Sequence, residues 1–127
     1  MKRDIELIRA ILLKVEEIPI GQTISSPLKI NEYDEDIIAE HVRLLYEQGY
    51  IDARIVEEFD SYDLVGSPQV ESYTITRLLN DGHDFIADTK NPTVWKKTLD
   101  SIASKGGDVS LAIVKTVAAK IVSGYFG

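Results

Sequence analysis

Not one cysteine occurs among the 127 residues. Disulfides, thiolate nucleophiles and cysteine-ligated metal sites are thereby excluded, and the composition suits a reducing compartment, so the cytoplasm is the expected location. Histidine is nearly as scarce, with His41 and His83 alone. Basic residues are in deficit: 14 Lys and Arg stand against 21 Asp and Glu, a formal net charge of -7. Phosphate neutralisation by Lys and Arg is the main source of nonspecific nucleic-acid affinity, so here it requires a local basic patch. Long apolar runs are missing as well. The richest segment, Val109 to Val122, is interrupted by Lys115 and Lys120, whereas a membrane span needs ~20 largely apolar residues. The opening Met1-Lys2-Arg3-Asp4-Ile5-Glu6 carries a basic pair, but acids break its apolar run and no small-residue cleavage site follows. It does not read as a signal peptide.

What is present is an ordinary globular balance, 44% hydrophobic and 28% charged, in a length that suits one domain with an appendage. Asp4 to Glu17 reads as a helix, with Ile5, Ile8, Leu12 and Val15 on one stripe, Leu7 and Ile11 widening it, and Pro19 and Gly21 ending it. Leu28 to Ile30 is read as a short strand. Asp34 is the expected N-cap of a second helix that runs to about Gln48, with Ile38, Val42 and Leu45 as its seam, Ile37, His41 and Leu44 flanking, and Gly49 as its stop. Tyr50 to Phe59 and Ser72 to Leu79 alternate as strands. Ile51, Ala53, Ile55 and Glu57 oppose Asp52, Arg54 and Val56; Tyr73, Ile75 and Arg77 oppose Thr74, Thr76 and Leu78. The connection from Ser61 to Glu71 contains Gly66-Ser67-Pro68 and is read as a loop. A helix starting at Asn80-Asp81-Gly82-His83 is broken by Asn91-Pro92-Thr93. A further helix, Pro92 to Ser104, has Val94, Trp95, Leu99 and Ile102 as its apolar positions. Gly106-Gly107 is a hinge, and Asp108 is the expected cap of a last helix ending near Ser123.

The stretch Ile38-Ala39-Glu40-His41-Val42-Arg43-Leu44-Leu45-Tyr46-Glu47-Gln48-Gly49-Tyr50-Ile51 resembles the recognition helix of winged-helix repressors and its turn into the wing. Tyr73-Thr74-Ile75-Thr76 with Gly82-His83-Asp84-Phe85 resembles the second wing strand and the helix after it. Nearly the full length is similar to a bacterial and phage family, domain of unknown function 2513. The carrying residues are Met1-Lys2-Arg3-Asp4 with Leu7-Ile8-Arg9, the His41 to Gly49 segment, and Gly82-His83-Asp84-Phe85 with Trp95. The resemblance implies an α+β fold: a winged-helix core, residues 1–89, as a reduced helix-turn-helix with a β-hairpin wing, followed by a C-terminal helical extension, residues 90–127. It also implies frequent phage or prophage origin, and it implies no activity. One departure matters. Only Gln22 to Tyr33 separates the first helix from the second, so the bracing helix of a standard helix-turn-helix is absent or reduced to a turn.

No catalytic, cofactor-binding or metal-binding residue is assigned, and no enzyme is expected. Gly106-Gly107 lacks the lysine of a phosphate loop. His41 lies on a helix seam and His83 at a helix start, and no third ligand accompanies either. Asp34-Glu35-Asp36 is explained by capping and the helix dipole. Glu57, Glu58, Asp60 and Asp63 lack the apolar setting that raises a catalytic carboxylate's pKa. The outward face of the second helix, Glu35, Asp36, Ala39, Glu40, Arg43 and Glu47, is the candidate partner or DNA face. Four of those six are acidic, whereas groove readers usually present Arg, Lys, Asn or Gln. The loop adds Asp63 and Glu71 without a base, and only Lys2, Arg3 and Arg9 offer a basic edge. A non-catalytic adaptor or regulator binding a protein partner is therefore expected ahead of a DNA-binding transcriptional regulator, and no membrane partner is expected.

The last helix carries a broad apolar stripe: Leu111, Ile113, Val114, Val117, Ala118, Ile121 and Val122. Burying each large aliphatic side chain is worth ~1.5–3 kcal/mol. A homodimer through Leu111, Val114, Val117, Ala118, Ile121 and Val122 is expected, with packing inside the chain as the competing outcome.

Overall fold

The structure, a computed structural model, describes residues 1–58 and 68–126. It is mixed α+β, and it falls into two compact units, Met1–Gly82 and His83–Gly127.

The first unit opens with α1 (Ile5–Glu16). Asp4 Oδ1 accepts from the N–H groups of Glu6 (3.0 Å) and Leu7 (3.1 Å), satisfying two of the donors that a helix start leaves without partners. The stripe Leu7, Ile8, Ile11, Leu12 and Val15 is buried. The second helix, α2 (Glu35–Glu47), buries Ile38, His41, Val42 and Leu45. Asp34 occupies its N-cap position with extended backbone, but its side chain makes no capping bond. Gly49 at φ +78° closes α2. The Tyr50 N–H donates to Leu45 O (2.9 Å) and the Gly49 N–H to Tyr46 O (3.1 Å), the paired bonds of a Schellman motif. Between the two helices lies β1 (Ile24–Ser25), and residues 26–34 form no helix.

The short strand is thus Ile24–Ser25, not Leu28 to Ile30. Proline explains the displacement, since Pro27 has no N–H and cannot extend the ladder. Leu28 is buried all the same, its N–H donating to the Tyr73 hydroxyl at 2.8 Å. Strands β2 (Ile51–Glu58) and β3 (Gln69–Leu78) complete an antiparallel sheet in the order β1-β3-β2. Gln69 to Glu71 therefore belong to a strand rather than to the loop; the rest of that loop, residues 59–67, and the end of the first strand at Phe59 lie outside the described residues. Arg77 does not share the inner face with Tyr73 and Ile75; Leu78 does. The pairing passes from Asp52↔Arg77 to Ala53↔Ile75, so Thr76 is an extra residue in β3. Such a bulge shifts the alternation by one. The Thr76 hydroxyl donates to the Asp52 carbonyl at 3.0 Å across it. Ile51, Tyr73, Ile75 and Leu78 are buried, and α1 and α2 pack against the sheet and each other.

Helix α3 (Asn80–Thr89) carries the chain from the first unit into the second. In the second unit, α4 (Pro92–Ser104) is capped by Asn91, whose side chain accepts from Thr93 (2.8 Å) and Val94 (3.3 Å). Its buried side chains are Val94, Trp95, Thr98 and Ile102, with Leu99 only half-buried. A hydroxyl can take the inner position because it is satisfied locally: Thr98 donates to Val94 O at 2.8 Å. Phe85 and Trp95 meet edge to face, centroids 6.1 Å apart. The last helix is α5 (Leu111–Phe126). Ser110, rather than Asp108, opens it, accepting from Ile113 through its hydroxyl and from Val114 through its carbonyl. It packs along α4.

Candidate functional site: the carboxylate face of α2

Helical spacing brings Glu35, Asp36, Glu40, Arg43 and Glu47 onto the outward side of α2, opposite its buried seam. Glu35, Asp36 and Glu47 are exposed, and Glu40 and Arg43 are half-buried. Arg43 is the only Lys or Arg in this helix, and it is fully engaged. It bonds Glu40 one turn back, Glu57 on β2 at 3.2 Å and the Pro68 carbonyl at 2.8 Å, with Glu47 at 3.8 Å. Burial works against its charge, but the bonds and charges of Glu40 and Glu57 outweigh that, and its pKa is raised. Arg43 acts as a clamp between helix and hairpin, not as a donor held out to a ligand.

Next to the clamp lies an open hollow of about 300 Å³ lined by Ser26, Pro27, Glu35, Asp36, Ala39, Val70, Glu71 and Tyr73. Its rim holds three carboxylates, and Pro27, Ala39 and Val70 supply the smaller, apolar part of its lining. Burial raises the pKa of the Tyr73 hydroxyl; the bond with Leu28 opposes this and Glu35 adds to it. The sequence puts Glu35, Asp36 and Ala39 on this face, and places Glu71 in a loop. It misses the rest, because β1 and the register of β3 bring Pro27 and Val70 to α2 from distant parts of the chain.

The other candidates stand as follows. His41 is buried, and its role is structural: Nε2 accepts from the Asp4 N–H at 2.9 Å, so Nδ1 carries the proton and donates to Ile37 O at 2.8 Å. Asp4 Oδ2 also accepts from the Tyr33 hydroxyl at 2.9 Å. One residue thus caps α1 and ties it to α2 and to the segment before it. Asp4 and His41 lie in two separate segments that carry the family resemblance, and nothing in the sequence spacing joins them. Glu57 is held by Arg43 and Glu58 is exposed, while Asp60 and Asp63 lie outside the described residues. Lys2 and Arg3 are exposed; Arg9 is half-buried, and burial lowers its pKa against the opposing charge of Glu6. In the second unit, His83 is exposed, and Asp84 lies 3.8 Å from Lys115. Among the described residues no group of three or more His, Asp or Glu is placed to hold a metal ion. Nor is any helix there long and apolar enough to cross a membrane.

Of the six residues expected to face a partner copy, Leu111, Val114, Val117 and Ala118 are buried in the single chain, and Ile121 and Val122 are half-buried. The exposed apolar area that motivated a homodimer shrinks to those two and Ile113, 45% exposed.

The chain belongs to the family described as hypothetical protein (DUF2513), whose sequence model matches residues 2–108. The match stops just before α5. An uncharacterized protein of Haemophilus influenzae is 33% identical over 124 residues, 97% of each chain. No solved structure matches.

Proposed function

We propose that this member of the family is a non-catalytic, winged-helix interaction module that binds a protein partner through the carboxylate face of α2 and the adjoining part of β3. The observation that carries the reading is the state of Arg43. The outward face of α2 has a single base, and three carboxylates and a carbonyl already engage it. What is left to meet a partner is Glu35, Asp36 and Glu71, which repel phosphate and attract Lys and Arg. The winged-helix reading is supported by the order α1, β1, α2, β2, β3 and by the sheet order β1-β3-β2. The complete absence of cysteine supports a cytoplasmic setting.

The same topology favours a second reading, a DNA-binding regulator, whose groove helix would be α2. Its charge opposes this, since groove binding draws its affinity from phosphate contacts. Fluorescence anisotropy at low salt separates the two. Mixed-sequence duplex DNA is expected not to bind, and a lysine-rich polypeptide is expected to bind in a salt-sensitive manner. Duplex binding that weakens steeply with salt, without binding of the polypeptide, refutes the protein-partner reading.

A further inference from the structure

The two edges of β3 are unequally covered. One is paired with β2 from Leu78 to Gln69, with Thr76 and Glu71 left as extra residues where the register shifts. The other meets β1 only at Ile75 and Thr74, and then at Tyr73, whose carbonyl accepts from the Ser26 N–H at 2.9 Å while its own N–H donates to Ser26 Oγ at 3.2 Å. Beyond Ser26 the chain turns away at Pro27. From Ser72 back to Gln69 this edge has no backbone or side-chain partner among the described residues. An open edge of this kind presents backbone donors and acceptors that another extended backbone can satisfy, here with the bulge at Glu71 inside it.

The hollow lies against this open edge. Val70, Glu71 and Tyr73 form its strand side, Ser26 and Pro27 the point where β1 stops, and Glu35, Asp36 and Ala39 the helix side. We propose that the hollow receives a short extended segment of a partner protein, which adds to β3 in line with β1 and carries Lys or Arg at alternate positions. This rests on the acidic-face reading above and gives it a binding mode. The backbone ladder calls for an extended peptide. The carboxylates of Glu35, Asp36 and Glu71 select cationic side chains, and Pro27, Ala39 and Val70 accept their aliphatic stems. Four residues at ~3.3 Å each span the open stretch, so the recognised segment is about four residues long. Duplex DNA matches neither the ladder nor the charge.

The test uses the full chain, isotope-labelled, with capped six-residue peptides of alternating lysine and valine. Three forms are compared: the peptide itself, its alternating glutamate counterpart, and the lysine peptide N-methylated at alternate residues to remove one row of N–H donors. The lysine peptide is expected to bind at low salt and to slow amide exchange at Gln69 to Ser72. N-methylation on the pairing row is expected to weaken it about tenfold, the loss of a pair of hydrogen bonds. Glu71→Gln and Asp36→Asn, each checked for an unchanged circular dichroism spectrum, are expected to weaken it several-fold. Salt-sensitive binding with no slowing at Gln69 to Ser72, or unaffected by N-methylation at either row, overturns the strand-addition mode and leaves the acidic-face reading standing. Failure of the lysine peptide to bind, equal binding of the glutamate peptide, or its displacement by duplex DNA overturns both.

Discussion

Replacing Gly82 with alanine tests a close backbone approach within the first unit. Gly82 is in the first turn of α3 with ordinary helical backbone. Helix propensity alone would therefore make Gly82→Ala stabilising by up to about 1 kcal/mol. The surroundings oppose it. A Cβ at this position would lie 2.2 Å from the Tyr50 carbonyl oxygen and 3.1 Å from a Leu78 methyl. Relief requires the Tyr50 backbone to withdraw by roughly 1 Å, a shift large enough to forfeit up to about half of a packing contact. That carbonyl accepts the Leu79 N–H at 3.0 Å, and Tyr50 follows the glycine that terminates α2. Overpacking of this kind costs about 1–3 kcal/mol, and a weakened buried hydrogen bond adds about 1 kcal/mol or more. The net expectation is a destabilisation of about 2 kcal/mol, read as a fall in Tm of roughly 8 °C. Gly124→Ala is the internal control. It too is helical, in α5, but nothing lies within 4 Å of its added Cβ, so propensity acts alone and Tm is expected to rise slightly. Urea and thermal unfolding followed by circular dichroism measure both. If Gly82→Ala matches or exceeds the parent in Tm, the close approach to Tyr50 is not what this position requires, and the argument fails.

Three further perturbations follow from the same contacts. His41→Ala leaves the Asp4 N–H without its acceptor and opens a void in a fully buried position. A loss of about 2–4 kcal/mol is expected from urea unfolding, and a loss under 1 kcal/mol would show the ring to be dispensable. Tyr33 is pushed up to about 12, by burial first and then by its bond to Asp4 and the charges of Asp4, Glu6 and Glu32. A raised folded-state pKa means that its contribution is present below the ordinary value near 10 and is lost as pH climbs toward 12. Tyr33→Phe is thus expected to flatten the decline in stability over that window, and parallel pH profiles would contradict it. Val114→Asn, at a fully buried position of α5, is expected to lower the stability of the second unit without changing mass by light scattering. A parent that is dimeric at micromolar concentration and a variant that is monomeric would restore the homodimer through α5.

Much of the fold was legible in the sequence because it is encoded locally. The apolar stripes of α1 and α2, the glycine stop at Gly49 and the Asn91-Pro92 start of α4 are properties of neighbouring residues, and their elements appear where those residues place them. The α+β class follows from these helices together with the alternating strands Tyr50 to Phe59 and Ser72 to Leu79 between them. Whatever depended on pairing with a distant segment was not legible. The bulge at Thr76 arises because β3 must stay in register with β2, and it moves Leu78 rather than Arg77 to the buried side. The site divides in the same way. Sequence alone determined that α2 presents carboxylates outward, since helical periodicity fixes which positions share a face. Tertiary structure alone decided that Arg43 is spent on Glu57 and Pro68, and that Pro27 and Val70 wall a hollow beside Glu35 and Asp36. Those contacts join residues far apart in the chain. No local pattern encodes them, because they come into being only when the sheet closes against the helix.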